Sequence, residues 1–377
     1  MTHSLPTHVV VVGGGIFGTS TAAQLEARGI PVTLLTEGAL ASGASGRSLA
    51  WLNSAADWSW DYHALRLAGI DRWRTWAAGH PGSERYLRFT GGLMWAGRDE
   101  SLKELFEAQR SKGYDARWLS RDDVQRVAGG VDAGAVAAEG AIFNPGEGWV
   151  DLPTVIRILA SQIAAGGGRI EENVRVAEVI VEDGRVAGVL TTDGARLESD
   201  AVVLATGPAV PRQLAELGVE IGEPGPAAFV AFTKPVDSEL EMVLNTPRVA
   251  IRRTLDGGLA MDSAWSEEAI EFADDGTLVV RDEVISELLE EGRAVLAGHP
   301  QLELDRIGAG YKPVPADGLP VHGAVQRIPG LYVSFSHSGA TQGLITGELM
   351  AEEVATGFVS PLWKSFRVER LAAVSAA

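Results

Sequence analysis

The sequence predicts an α/β fold with two parts. In the first part, residues 8–37 contain a β-branched run, a glycine-rich turn, an apolar helix and a second strand. Apolar runs at 199–207 and 330–335 predict further buried strands of the same part. The second part combines helical periodicity within 56–147 with strand segments within 225–316. A chain of 377 residues has room for both parts.

The opening unit has the spacing G-x-G-x-x-G between its first strand and its helix, and Gly29 follows as a stop for that helix. In such a unit Gly13 permits the tight turn, Gly15 lets a pyrophosphate approach the backbone, and Gly18 lets the helix pack on the strand. The helix N-terminus adds partial positive charge. The context therefore predicts a Rossmann-like dinucleotide site. Its expected contacts are Gly13, Gly15, Ile16, Phe17 and Gly18.

The end of the second strand normally carries an acid that binds the ribose hydroxyls. Here that position is Thr36, and Glu37 comes one residue later. Because successive strand residues point to opposite faces, the shift leaves two readings: Glu37 turns in after the strand, or Thr36 and the backbone bind the ribose. No basic residue is near in the sequence to bind a 2′-phosphate, which argues against NADP.

The next segment, ASGASGRSLAWLNSA at 41–55, is small, rich in hydroxyls and carries one arginine. It resembles the second phosphate-contacting loop of the D-amino-acid oxidase superfamily of FAD-dependent amine oxidoreductases, which includes glycine oxidase and the sarcosine oxidases. The hydroxyls can donate to phosphate and the arginine can neutralise it. The loop residues expected to contact FAD are Ser45, Gly46, Arg47 and Ser48.

Three later segments extend the resemblance to nearly the whole chain. Val176 resembles the strand end that holds adenine, and the residues after it predict a β-hairpin that turns at Asp183–Gly184. SDAVVLATG ends in a turn that the resemblance places beside the dinucleotide, with Thr206 and Gly207 as its contacts. SHSGATQG begins a long helix that, in the superfamily, starts at the pyrimidine edge of the flavin. Amides at such a helix start stabilise the anionic reduced flavin. The expected contacts there are Ser338, Gly339, Ala340, Thr341 and Gln342.

The resemblance implies a discontinuous FAD-binding domain of the glutathione-reductase type and an α+β substrate domain built on an antiparallel sheet. The predicted domain boundaries are 1–55, 148–215 and 318–370 for the FAD domain, 56–147 and 216–317 for the substrate domain, and 371–377 for a tail. Cysteine is absent and the phosphate loop has no histidine, so FAD is expected to be bound non-covalently.

Two cations are candidates for contact with substrate. Superfamily amino-acid oxidases often place an arginine just before the P-x-D-G turn, and here that position is Lys312. Lysine is a point charge and does not orient a carboxylate as an arginine fork does. Lys312 either binds a substrate carboxylate or serves oxygen activation or the flavin. Arg252 matches a substrate-domain arginine of the superfamily, and its alternative is a structural ion pair.

Trp51 and the histidines complete the candidate site. Trp51 follows the phosphate loop where the chain should reach the flavin, so it is expected to line the active site. His337 either orders substrate or flavin O2, or caps and packs the helix. His322 is expected to be structural, and His63 to lie on the surface. The seven histidines are scattered without an H-x₃-H pair, so no metal site is expected.

The composition argues against several kinds of binding partner, disulfide and metal site. A net charge of −18 argues against nucleic acid or an anionic membrane as a partner. The absence of cysteine excludes disulfides, iron–sulfur clusters and thiolate zinc sites. The sequence shows neither a leader pattern nor a run that would span a bilayer, so a cytoplasmic protein without membrane insertion is expected.

The leading functional hypothesis is FAD-dependent oxidation of the C–N bond of an amino acid or related small amine, with oxygen or another electron acceptor. One alternative is an oxidase of an amine without a carboxylate. Another is a flavin electron-transfer subunit that has no small substrate of its own. An aromatic hydroxylase is disfavoured, because SFSHSGATQG stands where that class carries a G-D segment.

Overall fold

The computed structural model describes residues 5–223 and 225–372. Its first layer is a six-stranded sheet in which four neighbouring pairs are parallel and one edge pair is antiparallel. Four of these strands are fully buried and rich in Val and Leu, as the predicted apolar runs require. The spatial order of the strands is Val321–Ala324, Leu331–Phe335, Ala201–Leu204, Val9–Val12, Val32–Thr36 and Arg169–Glu172.

Three helices cover one face of this sheet and hold the glycine turn in place. Helix Ile16–Ala27 packs on helix Gly339–Thr356 and on helix Leu152–Ala165. The close approach depends on small residues: a Cβ at Gly343 would lie 2.4 Å from the Ile16 side chain. The two helix N-termini that the sequence assigned to the cofactor therefore belong to one packed pair.

The second layer is an eight-stranded sheet in the part of the chain predicted to form the substrate domain. The prediction of an antiparallel sheet is correct for all but one pair, since Val243–Asn245 runs parallel to Gly92–Met94. Helix Asp282–Val295 contributes to the apolar core beneath it. The strand order is Leu304–Tyr311, Ala227–Thr233, Leu259–Asp262, Ala250–Arg253, Val243–Asn245, Gly92–Met94, Ala141–Asn144 and Arg117–Leu119.

A small three-stranded sheet joins the two layers. Strand Gly148–Val150 pairs with Trp51–Leu52, which follows the phosphate loop, and with Leu87–Arg88. Helix Trp60–Gly79 starts at the Ser59 cap and packs on Gly339–Thr356. The chain thus leaves the phosphate loop through a strand and a helix that both touch the cofactor helix.

The remaining strands form one three-stranded and one two-stranded sheet. The predicted turn at Asp183–Gly184 is confirmed, since both residues have positive φ between two paired strands. No described helix is both long and apolar enough to cross a membrane. The other elements are strands Val176–Glu182, Arg185–Thr191, Arg196–Glu198, Glu271–Phe272 and Leu278–Val279, and helices Lys103–Ser111, Arg121–Val127, Val210–Ala215, Ala264–Glu268 and Glu369–Ala372.

Candidate active site

One cavity of about 1120 Å³ runs from the glycine turn to the face of the eight-stranded sheet. Both layers contribute to its wall, and so does the loop that follows the second parallel strand. A pocket for a drug-sized ligand has about 300–1,000 Å³. This cavity is therefore large enough to take an extended ligand and a small molecule beside it.

The glycine turn at one end has no room for side chains. Gly13 has a φ of +121°, and a Cβ there would lie 2.3 Å from the Ala205 carbonyl oxygen. A Cβ at Gly18 would lie 1.9 Å from the Gly13 carbonyl oxygen. The helix can start this close to the strand only because both positions lack a side chain.

The phosphate loop folds over the start of the first helix. The Ser45 hydroxyl accepts a hydrogen bond from the Ile16 amide at 3.0 Å, and a Cβ at Gly15 would lie 3.2 Å from that hydroxyl. Gly15, Ile16, Phe17 and Ser45 all line the cavity. Outward-facing helix amides with a hydroxyl beside them are a donor set that suits a pyrophosphate, so this end of the cavity fits FAD.

The position predicted to bind the ribose contains both residues that the sequence left open. Thr36 is buried, and its hydroxyl lies 2.7 Å from the place of a Cβ on Gly14. Glu37 is exposed and lines the cavity, with its carboxylate 3.5 Å from the Arg175 guanidinium. The expectation that no basic residue stands nearby is wrong, because strand pairing brings Arg175 to Glu37. The two residues are 138 positions apart in the sequence, so the local sequence around Glu37 does not reveal this contact.

The residues predicted to contact adenine and the dinucleotide, Val176, Thr206 and Gly207, also line the cavity. Val176 is buried at the start of its strand, next to Val174, whose amide donates to the Thr36 carbonyl at 2.9 Å. Thr206 donates to the Gln213 side chain, and Gly207 has a φ of +59°. The turn after strand Ala201–Leu204 lies against the glycine turn, since a Cβ at Gly13 would lie 3.1 Å from the Thr206 amide nitrogen.

Arg47 and Arg252 hold the phosphate loop against the eight-stranded sheet. The Arg47 guanidinium donates to the Ala309 carbonyl. Arg252 is buried and donates to the Leu49 and Ser48 carbonyls, the latter at 3.4 Å. Burial lowers the Arg252 pKa to about 10. Its guanidinium is thus directed at main-chain oxygens and stacks over Trp149, with 5.3 Å between the guanidinium carbon and the ring centroid.

The start of the second cofactor helix lies at the middle of the cavity, where Ser338, Gly339, Ala340 and Thr341 line the wall. The Gln342 amide donates to the Ser338 carbonyl at 3.0 Å, so the amides that precede it are the ones without an intrahelical acceptor. The Gln342 side chain is fully buried between His322 and Tyr62.

Arg66 is a cavity residue that the sequence analysis missed. The residue is 4% exposed, and its guanidinium donates to the Asn53 carbonyl at 2.9 Å and to the Ser338 hydroxyl. The ring of Trp58 lies 5.0 Å from it. Arg66 stands four residues after Tyr62 on one helix face, and an arginine in the apolar stretch YHALRLAG was the available signal.

Trp51 lines the cavity, and a buried acid fixes its ring. The indole Nε1 donates to Glu147 at 2.9 Å, and the Tyr114 hydroxyl donates to the other carboxylate oxygen at 2.5 Å. Glu147 has no exposed surface, and desolvation raises its pKa to about 8. Sequence reasoning missed Glu147 because it lies 96 positions from Trp51.

The histidines divide between the core and the cavity. His63 is buried with Nδ1 2.8 Å from the Ser54 hydroxyl, so the surface assignment was wrong; the helix is covered on more than one side. His322 is buried between Ser334 and Gln342. His337 faces the open cavity, where desolvation by the surrounding wall and then the charges of Lys312 and Arg66 lower its pKa to about 4.

Lys312 lies at the far end of the cavity and is part of an ion pair. Its Nζ is 2.6 Å from the Glu267 carboxylate, and its amide donates to the Pro226 carbonyl at 2.8 Å. Asp262 lines the same region, and desolvation raises its pKa to about 7. The part of the chain that the structure describes contains no cluster of three or more residues suited to hold a metal ion.

Comparisons with known proteins bear on this site. The profile of the DAO family, described as FAD dependent oxidoreductase, matches residues 8–353. A glycine oxidase of Geobacillus kaustophilus is 26% identical over 370 residues, 94% of each chain. A crystal structure of glycine oxidase from that species has a TM-score of 0.81 at 21% identity, covering 97% of this chain and 99% of the other.

Two further proteins show the same likeness. A glycine oxidase of Pseudomonas putida is 27% identical over 344 residues, which are 87% of this chain and 88% of that one. The structure of an L-amino acid deaminase from Proteus myxofaciens, in complex with anthranilate, has a TM-score of 0.81 at 21% identity. It covers 98% of this chain and 95% of the other.

Proposed function

This chain belongs to the DAO family of FAD-dependent oxidoreductases, and from that premise we propose that it oxidises the C–N bond of a small amine or amino acid. When bound, FAD supplies the two-electron acceptor: hydride leaves the carbon that bears nitrogen, the nitrogen lone pair forms the imine, and water hydrolyses that imine. The same proposal includes non-covalent FAD, oxygen or another electron acceptor, and a cytoplasmic location.

The observation that carries the proposal is the continuity of the cavity. Its glycine-turn end has the donor set for a dinucleotide, and its other end opens onto side chains of the eight-stranded sheet such as Asn245 and Asp262. An electron-transfer subunit needs no such second compartment. The space next to the cofactor helix therefore supports an enzyme that admits a small molecule.

The chain's own groups prepare that space for amine oxidation. The start of helix Gly339–Thr356 directs amides toward the middle of the cavity, where they stabilise negative charge. His337, with its pKa lowered to about 4, is neutral at pH 7 and adds no charge that would repel a cationic amine. Trp51 contributes an apolar wall whose ring Glu147 holds in one orientation.

The remaining candidate residues take structural roles in this proposal. Arg252 positions the phosphate loop through the main chain of Ser48 and Leu49 and does not touch substrate. Arg47 acts in the same way through Ala309. Thr36 and Glu37 both stand close enough to the cavity to bind the ribose.

Product analysis tests the reaction class. The FAD-loaded enzyme, incubated in air with small primary and secondary amines, should yield an aldehyde or keto product together with the released amine or ammonia. Replacing the hydrogen on the oxidised carbon by deuterium should slow flavin reduction in a rapid-mixing measurement. A product in which the C–N bond remains and another bond is oxidised would contradict the proposal.

A further inference from the structure

The cation expected to receive a substrate carboxylate is already neutralised by the protein. Lys312 Nζ lies 2.6 Å from Glu267 Oε2, and the two side chains are only 28% and 13% exposed. Both residues line the cavity. At this distance and with so little exposure, solvent screens the attraction between the two charges only weakly. An exposed surface pair, in contrast, contributes little.

The fold positions both partners firmly. Lys312 directly follows strand Leu304–Tyr311, and its amide is bonded to Pro226. Glu267 lies in the short helix Ala264–Glu268, which starts two residues after Asp262 at the end of its strand. The carboxylate therefore reaches Lys312 from a strand–helix turn that belongs to the same sheet.

Asp262 makes this end of the cavity more acidic still. Among the described residues its carboxylate has neither an ion-pair partner nor a hydrogen-bond donor, and its charge interacts with both Lys312 and Glu267. One ammonium thus faces two carboxyl groups. A substrate carboxylate placed here would meet repulsion that Lys312 alone does not offset.

The other cations of the site do not replace Lys312. Arg47 and Arg252 donate to main-chain carbonyls of the phosphate loop region and its neighbouring strand. Arg66 is buried, and its guanidinium is bonded to Asn53 and to Ser338 at the start of helix Gly339–Thr356. The wall formed by the eight-stranded sheet therefore presents Lys312 only in its paired form.

We propose that Glu267 determines substrate specificity: by pairing with Lys312 it excludes a carboxylate from the sheet end of the cavity, so the substrate is an amine without a carboxylate on the oxidised carbon. The substituent at this end is neutral or cationic. This inference rests on the proposed function, and it selects among the amines which that function admits.

The wild-type enzyme tests the inference without any variant. Matched pairs such as alanine and ethylamine, or sarcosine and dimethylamine, differ by the carboxylate alone. We expect kcat/KM for the carboxylate-free member to exceed that of its amino acid by about tenfold or more, which corresponds to about 1.4 kcal/mol. A preference of that size for the amino acids would overturn the inference.

Glu267→Gln tests the residue itself, with binding as the readout. Acetate and benzoate are titrated into the FAD-loaded enzyme, and their Kd is read from the change in the flavin absorbance spectrum. Removing the Glu267 charge frees Lys312, so the carboxylate Kd should fall about tenfold or more. Glu268→Gln, an exposed neighbour that removes the same charge, is the matched control and should leave Kd unchanged.

The two proposals fail in different ways. If no amine reduces the flavin, the proposed function fails, while carboxylate binding to the Glu267→Gln enzyme still tests the charge pairing. If amines are oxidised but Glu267→Gln, folded and FAD-loaded, binds acetate and benzoate no better than wild type does, the specificity role of Glu267 is wrong. Adding Lys312→Met to Glu267→Gln should abolish the gain in carboxylate affinity, and its persistence would also contradict the role.

Discussion

Glu147 has no exposed surface; one of its carboxylate oxygens accepts a hydrogen bond from Trp51 at the cavity wall, and the other accepts one from the buried Tyr114. Trp51 and Tyr114 are thereby held in place by one acid that solvent does not reach. The sequence predicted Trp51 at the active site from its position after the phosphate loop. It could not predict Glu147 or Arg66, because their roles depend on contacts between distant segments.

Glu147 should make stability depend on pH. Its pKa rises from 4.5 in the unfolded chain to about 8 in the folded protein, so the folded state binds the proton more tightly. The contribution of Glu147 to the free energy of unfolding is therefore fully present below about pH 4.5 and is lost as pH rises toward 8. The free energy of unfolding falls by up to about 1.4 kcal/mol per pH unit in this range.

Glu147→Gln removes this dependence. The unfolding temperature of wild type relative to the variant should increase as pH falls from 8 to 5, measured on FAD-loaded protein at fixed ionic strength. Glu104→Gln, at an exposed position, is the control and should show no trend relative to wild type. A difference between wild type and Glu147→Gln that stays constant with pH would refute the assignment.

At the scale of elements, local sequence patterns were sufficient to predict structure where the contacting residues lie within a few positions of each other. The strand–glycine turn–helix unit and the hairpin turn were predicted, because glycine spacing and turn residues act within a few positions. The parallel pair within the second sheet was not predicted. It joins Gly92–Met94 to Val243–Asn245, and no local pattern records which strands become neighbours over such a separation.

Gly18→Ala tests the packing of the first helix on the glycine turn. The new Cβ would lie 1.9 Å from the Gly13 carbonyl oxygen, so the helix must move away from the strand. We expect a loss of about 1–3 kcal/mol of stability and a clearly lower FAD content after purification. Gly79→Ala, where a Cβ meets nothing within 4 Å, is the control and should retain both. Full FAD content in Gly18→Ala would contradict the assigned role.

At the scale of the whole molecule, two sheets are held together around one cavity. The phosphate loop lies between them, and Arg252 ties its main chain to the second sheet. The sequence predicted both sheets and the function class, since the apolar runs and family-like motifs span most of the chain. It assigned Arg252 a possible substrate role, because a strand pattern gives the face of a side chain and not its partners.

Arg252→Met should weaken this connection. The half-buried Ser48, Leu49 and Arg253 residues lose the donor to their carbonyls, and an unsatisfied buried group costs about 1–3 kcal/mol. The unfolding temperature should fall by about 2–5 °C, and the Kd for FAD should rise, because the phosphate loop is no longer fixed. Arg253→Met, next to it on the strand and bonded to Ser238, should leave the Kd for FAD unchanged. A selective loss of substrate affinity in Arg252→Met, with FAD binding intact, would show a substrate contact instead.

The central claim is that this FAD-dependent oxidoreductase takes electrons from an amine bound in its second compartment. The direct measurement is anaerobic addition of a panel of small primary and secondary amines, with 2-hydroxy acids as a comparison, to the FAD-loaded enzyme. The account predicts that at least one amine removes the absorbance of the oxidised flavin and that the hydroxy acids do not. Reduction by dithionite alone, or by a hydroxy acid and no amine, would contradict it.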